Sequence, residues 1–294
     1  MVNVVNLLFQ FLDSFAFIVL AAIGLAVIFG MMGVINLAHG EFIMIGAYGT
    51  TLASTAGLPL ILAMAVGVAV TAIFGLLIER SIIKRLYQRP LDSMVATWAL
   101  GLAITQGVRI IFGNSLSGIG TPLGAIQYGV FSYSMYRVIL SAVALAVLIG
   151  AYIVFTRTEF GLRARATIQD ADTARAMGID TDRMYTSTFV VGSALAGLTG
   201  ALYARTRSIV PGMGSTFLVE AFVAVVTGGG SVLIGTTLAG GVLGSFDALF
   251  TNLYGTFIGQ VALLMIAIVI LRFLPSGLSG VLDNLRERME RDTQ

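Results

Sequence analysis

Long apolar runs separated by short polar connections are the feature that most limits what this chain can fold into. A helix of about 20 apolar residues crosses the hydrocarbon core of a bilayer. Nine runs of roughly that length are residues 8–30, 35–54, 60–78, 92–112, 136–155, 187–204, 218–233, 235–253 and 257–273. Only 11% of the residues are charged, far fewer than in a soluble domain. The sequence therefore predicts an all-α polytopic membrane protein, a single domain over residues 1–294 with about eight to ten spans.

Polar side chains interrupt one of these runs, within residues 24–50. Asn36, His39 and Glu41 fall within six residues of each other, and His39 is the only histidine of the chain. A charge near the bilayer centre costs about 2.5 to 3.5 kcal/mol on insertion scales, so such residues normally face protein or a water-filled path. Glycines in the same stretch allow a helix to break where it is sheltered from lipid. We expect a wall of a translocation pathway here. The alternative is a buried structural hydrogen-bond cluster.

Three further residues are candidates for the same pathway. Trp98 is the only tryptophan, and Glu220 and Asp247 are acids within apolar runs. Packing at an interface is the alternative for Trp98, and a salt bridge to Arg205 or Arg207 is the alternative for Glu220. The loop before Glu220 contains proline and glycine, which predicts a half-helix with free N–H groups aimed into the pore.

The distribution of basic residues predicts the orientation in the membrane. Residues 79–89 contain four basic side chains against one acid, so the positive-inside rule makes this loop cytoplasmic. Three spans before it leave the N-terminus outside. The polar segment at residues 157–184 and the charged tail at residues 275–294 are then cytoplasmic. Arg205 and Arg207 contradict the rule, since their loop is predicted to be external.

The cytoplasmic segment contains the signals of a short helix. Asp170 precedes residues 171–177, which have a helical pattern, and Gly178 is a suitable C-terminal cap. Met177 and Ile179 are apolar side chains beside charges, which is typical of insertion into a partner's groove. We expect a docking element. A solvated loop is the alternative.

The residue inventory argues against several functions. There is no cysteine, which excludes disulfides and thiolate metal sites, and a single histidine leaves few metal ligands. The phosphate-loop motif GxxxxGK[ST] is absent, so we expect no ATP site in this chain. A protein without catalytic activity, cofactor, metal or nucleic-acid partner is predicted.

Four stretches carry a resemblance to a known family: GLAVIFGMMGVINLAHGEFIMIGAY, FGLRARATIQDADTARAMGID, VVTGGGSVLIGTTLAGGVLG and FLPSGL. They resemble the permease subunits of the branched-chain amino acid and urea type of ABC importers, which implies a type II-like permease. The resemblance implies a multi-pass protein of a bacterial inner membrane. Its partners would be a second, similar permease, two cytoplasmic ATPase subunits and a periplasmic solute-binding protein. It also implies an ATPase-coupling helix that includes Asp170, Thr173, Ala176, Met177, Gly178 and Ile179.

The solute is predicted from finer features. The stretch ATWALGLAITQGVRIIFG looks closer to urea or short-chain amide permeases, and the intramembrane acids have no matching base, which favours a neutral solute. A branched-chain amino acid is the alternative. A stand-alone channel or secondary carrier, with His39 and Glu41 relaying protons, is a rival of another class. A membrane enzyme using the same pair as acid and base is a further rival.

Overall fold

The computed structural model describes residues 2–87, 89–120, 123–128 and 131–280. The helices are α1 (Val2–Met32), α2 (His39–Thr55), α3 (Leu60–Ser81), α4 (Pro90–Phe112), α5 (Met135–Arg157), α6 (Glu159–Gln169), α7 (Ala171–Ala176), α8 (Thr181–Tyr203), α9 (Gly214–Gly228), α10 (Val232–Tyr254) and α11 (Thr256–Phe273). A 3₁₀ helix covers Ile83–Leu86. Strands β1 (Ala125–Tyr128) and β2 (Phe131–Ser134) form an antiparallel hairpin.

Helix length separates two kinds of membrane element. Within the described residues, seven helices are long and apolar enough to span a bilayer, namely α1, α3, α4, α5, α8, α10 and α11. Helices α2 and α9 have 17 and 15 residues. At 1.5 Å per residue they reach only about 25 and 22 Å, short of a hydrocarbon core of about 30 Å. The predicted all-α polytopic membrane fold, with some half-spanning helices, is confirmed.

The connection before α5 contains a hairpin that was not predicted from the sequence. Strands β1 and β2 pair there with Ala125 opposite Ser134. Short strands with aromatic residues give a weak signal inside a Gly- and Ser-rich stretch. Residues 281–294 of the predicted tail lie outside the described residues.

The chain divides into two compact units. The first unit comprises residues 1–22, 122–148 and 220–294, and the second unit comprises residues 23–121 and 149–219. In the first unit, α10 and α11 pack together along much of their length. In the second unit, α2, α3 and α8 form a tightly packed trio.

Small residues and aromatic rings build the trio of the second unit. Gly46 of α2 approaches Gly197 of α8 so closely that a Cβ at Gly46 would overlap the carbonyl of Gly197. Phe42 lies edge-on to Phe74 and Phe189, with ring centroids 5.6 and 6.0 Å away. Close backbone approach through glycine is the usual way in which membrane helices gain packing energy. This packing holds α2 in the interior of the second unit.

Candidate translocation site

A break between α1 and α2 places the polar residues of the sequence motif. Helix α1 ends at Met32, and Gly33 follows with a φ of +63°, a conformation that glycine adopts without strain. The Asn36 Oδ1 accepts a hydrogen bond of 3.1 Å from the Ala38 N–H, and α2 begins at the next residue, His39. The predicted span over residues 35–54 therefore begins four residues late, because residues 33–38 are not helical.

Thr97 of α4 satisfies the backbone of this break. Its Oγ1 accepts from the Leu37 N–H at 3.0 Å and lies 3.2 Å from the Ile35 carbonyl, to which it can donate. Non-helical backbone at membrane depth is stable only where its polar groups find partners. Thr97 was not predicted from the sequence, where its only signal is its position next to Trp98.

Glu41 lies in the first turn of α2, against α4. Its Oε1 accepts a hydrogen bond of 3.4 Å from the Thr105 hydroxyl, and a Cβ at Gly101 would come within 3.1 Å of its Oε2. The buried Glu41 Oε2 and the buried Asn36 Nδ2 have no hydrogen-bond partner within the part of the chain that the structure describes. Buried polar atoms are normally satisfied. The break therefore contains one hydrogen-bond acceptor, the Glu41 Oε2, and one donor, the Asn36 Nδ2, that a polar solute could use.

The start of α9 meets the start of α2 at the same place. A Cβ on Gly40 would overlap the Gly214 carbonyl, and a Cβ on Gly214 would overlap the Gly40 carbonyl. Both helices therefore begin within contact distance of each other. Each helix N-terminus carries a partial positive charge from its unsatisfied N–H groups.

The other predicted pathway residues are arranged differently. His39 is fully buried, with its ring against Gly24. Trp98 of α4 is 58% exposed. Glu220 and Asp247 belong to the first unit, where Asp247 accepts a hydrogen bond of 2.5 Å from the Ser14 hydroxyl. The structure brings together Asn36, His39 and Glu41 and does not place Trp98 among them.

Arg205, which contradicted the positive-inside rule, has a structural contact. Its Nε donates to the Gly120 carbonyl at 3.0 Å, and Leu116 and Ile209 form an antiparallel β-bridge nearby. The loop after α4 is therefore joined to the loop after α8. An arginine that caps a loop carbonyl has a packing reason for its position, independent of membrane orientation.

The polar segment at residues 157–184 holds two helices, where the sequence predicted one. Helix α6 begins after Thr158, whose Oγ1 caps the Gly161 N–H, and this helix was missed. Helix α7 lies where it was predicted, within one residue. The Asp170 carboxylate accepts from the N–H groups of Asp172 and Thr173 at 3.0 and 2.9 Å. These hydrogen bonds, with that from the Thr173 hydroxyl, hold the pKa of Asp170 below its usual range.

The end of α7 confirms the predicted glycine cap. Gly178 has a φ of +86°, and the Ile179 N–H donates to the Ala174 carbonyl at 3.0 Å, which is a Schellman arrangement. Met177, just before the cap, is 77% exposed. A cavity of about 450 Å³ lies beside it, lined by Arg163, Met177, Gly178, Ile179, Asp180, Arg183 and Met184. An exposed methionine next to an open cavity rimmed by charges is typical of a docking surface.

The first basic loop lies against this segment. Lys84 forms an ion pair of 2.9 Å with Asp182, whose carboxylate raises the pKa of Lys84. The Tyr87 ring contacts the Tyr185 ring at a tilt of 52°, with centroids 4.9 Å apart, and the Tyr87 hydroxyl donates to Glu79. Burial and this hydrogen bond raise the pKa of Tyr87. The two segments that the sequence assigned to one side of the membrane are in contact.

Long apolar helices around a sheltered polar break define a multi-pass membrane protein. A family model described as branched-chain amino acid transport system / permease component matches residues 7–274. The chain belongs to this family, and the resemblance to ABC importer permeases is confirmed. No solved structure matches the chain.

Curated relatives cover almost the whole chain. The high-affinity branched-chain amino acid transport system permease protein BraD of Pseudomonas aeruginosa is 30% identical over 278 residues, 89% of this chain and 91% of the relative. The probable branched-chain amino acid transport permease protein LivH of Methanocaldococcus jannaschii is also 30% identical, over 90% and 89%. The autoinducer 2 import system permease protein LsrC of Yersinia enterocolitica is 29% identical over 63% of this chain and 54% of the relative. These relatives give no support to a preference for urea or amides, and they favour the alternative.

Proposed function

We propose that this chain is the permease subunit of an ATP-driven importer of branched-chain amino acids and forms half of its translocation pathway. The observation that carries this proposal is the 30% identity over 89% of the chain to a permease named for branched-chain amino acid transport. Urea and short-chain amides, which the sequence favoured, become the competing solutes that an experiment must exclude.

The chemistry of the break supports a zwitterionic solute. The preference for a neutral solute rested on the absence of a buried base near the intramembrane acids. The N-terminus of α9, which begins beside α2 and has no acidic residue in its first turn, supplies a partial positive charge without a basic side chain, which suits a carboxylate. The Glu41 Oε2, buried and without a partner among the described residues, suits an ammonium group. A branched-chain amino acid carries both groups.

The pathway roles of individual residues follow from their placement. We propose that Asn36 and Glu41 contact the solute, because each keeps a buried polar atom without a partner in the described chain. His39 is fully buried and would position the start of α2. Trp98, on the exposed side of α4, would line the pathway only from an interface with the second permease. Glu220 and Asp247 remain candidates contributed by the first unit.

The free energy that drives transport would be transmitted to this chain through α7. The sequence has no phosphate-loop motif, so nucleotide binding must be supplied by partner ATPase subunits. We propose that Met177 and the capped helix behind it insert into a groove of one ATPase subunit, and that closure of the ATPase pair shifts the attached spans between two states. The proposed partners are a second homologous permease, two cytoplasmic ATPases and a periplasmic binding protein.

The proposed location is a bacterial inner membrane. The N-terminus would be periplasmic, and α7 and the C-terminus cytoplasmic. The contact between the basic loop and the segment around α7 supports a common side for both. The positive-inside rule assigns that common side to the cytoplasm.

Solute competition in the assembled transporter tests the proposed function. The complete complex in proteoliposomes, loaded with ATP on the ATPase side, is given radiolabelled leucine together with an excess of valine, isoleucine, urea or acetamide. We expect valine and isoleucine to abolish leucine uptake, and urea and acetamide to leave it unchanged. Uptake of labelled urea without uptake of leucine would reverse the assignment of the solute.

A further inference from the structure

A second cavity lies in the first unit, remote in sequence from the break and from α7. It has a volume of about 240 Å³ and lies between the start of α1, strand β2 and the start of α5. Its lining residues are Phe9, Gln10, Leu12, Asp13, Ser132, Tyr133, Ser134, Arg137, Val138 and Ser141. Sites for drug-sized ligands are about 300 to 1,000 Å³, so this cavity fits a smaller molecule.

The polar side of the cavity holds two opposite charges. The Arg137 Nη1 lies 2.7 Å from the Asp13 Oδ2, and both side chains are partly open, at 52% and 33% exposure. This contact uses one guanidinium nitrogen and one carboxylate oxygen. A guanidinium has five N–H donors, and a carboxylate accepts at two oxygens. Arg137 and Asp13 can therefore remain paired while they bind a ligand that carries both a negative and a positive charge.

Two neutral groups beside this pair lack partners. The Gln10 Oε1 and the Ser134 Oγ are buried and make no hydrogen bond within the described residues. A buried polar atom without a partner costs free energy, so such atoms indicate a missing group. The Gln10 oxygen can only accept, which suits an ammonium. The serine hydroxyl can donate, which suits a carboxylate.

The apolar part of the lining is held in place by contacts with neighbouring residues. Phe9 and Tyr133 stack with ring centroids 4.1 Å apart and an interplanar angle of 15°. The Tyr133 hydroxyl donates to the Asn6 Oδ1 at 3.1 Å, and the Asn6 Nδ2 donates to the Asn252 Oδ1 at 2.7 Å. Leu12 and Val138 complete this wall. A small aliphatic group fits against it.

We propose that this cavity binds one free amino acid with an aliphatic side chain. Its carboxylate is held by Arg137 and Ser134, and its ammonium group by Asp13 and Gln10. Its side chain lies against Phe9, Leu12 and Val138. The zwitterionic ligand follows from the cavity itself, whereas the aliphatic class rests also on the proposed function.

The cavity lies in the N-terminal half of α1, beside the β1–β2 hairpin. In the proposed orientation this end of α1 is the external one.

Direct binding to the purified full-length protein tests this site. Scintillation proximity with radiolabelled leucine is measured without partner subunits, for wild type and variants. We expect Arg137→Gln to weaken binding about tenfold to a hundredfold, because a charge-assisted hydrogen bond is lost. The control is Arg89→Gln, which removes an exposed arginine from a comparable pair with Asp92 at 3.5 Å and should leave binding unchanged.

Ser134→Ala separates ligand binding from a structural role. The Ser134 hydroxyl has no partner in the described chain, so its removal should not lower the thermal stability. It should weaken leucine binding about threefold to tenfold. Urea at the same concentration should not displace leucine from wild type.

Two outcomes would overturn the site: no leucine binding by wild type at millimolar concentration, or equal binding by wild type and both cavity variants. Either result leaves the proposed function open to its own test, since leucine uptake by the complete transporter does not require stable binding to the isolated chain. Conversely, leucine binding here without uptake by the complete transporter would contradict the proposed function and retain the site.

Discussion

Glu41 is the residue on which the proposed pathway depends most. Its carboxylate is held by Thr105 on one oxygen, while the other is buried without a partner in the described part of the chain. Glu41→Gln keeps the size and removes the charge that an ammonium group would contact. We expect leucine uptake by the complete transporter to fall about tenfold or more. Asp92→Asn, at an exposed carboxylate of α4, is the matched control and should transport normally.

The Glu41 experiment also distinguishes the two interpretations of the polar cluster. A purely structural cluster predicts a loss of stability with little change in uptake per folded molecule. Thermal unfolding of each variant in detergent supplies that comparison. Normal uptake by Glu41→Gln would assign the residue a structural role.

Asp170 makes the stability of α7 depend on pH. Its pKa is lowered in the folded state by the N–H groups that it caps. The stabilisation is therefore present above the unfolded value, about 3.9, and is lost as the pH falls through the lower folded value. The cap is intact at neutral pH.

Two substitutions of Asp170 test the cap. Asp170→Ala should raise amide hydrogen exchange in residues 171–178 several-fold at pH 7, because alanine offers no acceptor. Asp170→Asn should preserve protection at pH 7, since asparagine is also a good N-cap, and should remove its acid dependence. Equal exchange in wild type and Asp170→Ala would show that the cap does not hold α7.

At the scale of elements, the contact between α2 and α9 depends on the absence of side chains. A valine at Gly40 would overlap the Gly214 carbonyl, whereas a side chain at Gly107 of α4 meets nothing within 4 Å. Both substitutions add the same β-branched side chain to a helix, so their difference isolates the overlap. We expect Gly40→Val to lower the unfolding free energy by about 1 to 3 kcal/mol more than Gly107→Val. Equal unfolding temperatures in detergent would contradict the contact.

The elements differ in how far the sequence could predict them. Helix α7 was predictable because its signals are local: a capping aspartate and a glycine that ends the helix. The start of α2 at His39 was not, since Thr97, about 60 residues away, stabilises the break. Distance along the chain also limited the prediction of the polar cluster. Asn36 and Glu41 were identified because polar side chains are costly to place in a bilayer, whereas Thr105, which is far from them in the sequence, was not identified. The hairpin was missed because its strands have four residues each.

The docking element and its orientation can be tested together, because the chain has no native cysteine. Met177→Cys should react with a membrane-impermeant maleimide only when the cytoplasmic face is accessible, and bound ATPase subunits should protect it. Ile126→Cys, on strand β1, should react only from the outside and should not be protected. Labelling of both residues from the same side would contradict the proposed topology.

At the scale of the whole molecule, we propose that the sheltered polar break contacts the solute and that the exposed capped helix α7 contacts the ATPase subunits. Neither contains the motif for nucleotide binding. The chain is thus proposed to be a gate whose two states are biased from the cytoplasm.

The measurement that tests this claim most directly is uphill leucine transport with and without the motor. Proteoliposomes containing the permease pair and binding protein are compared with proteoliposomes that also contain the ATPase subunits and ATP. The account predicts that leucine is concentrated only in the second preparation. Accumulation of leucine against its gradient in the first would contradict the claim that this chain is a gate driven through α7.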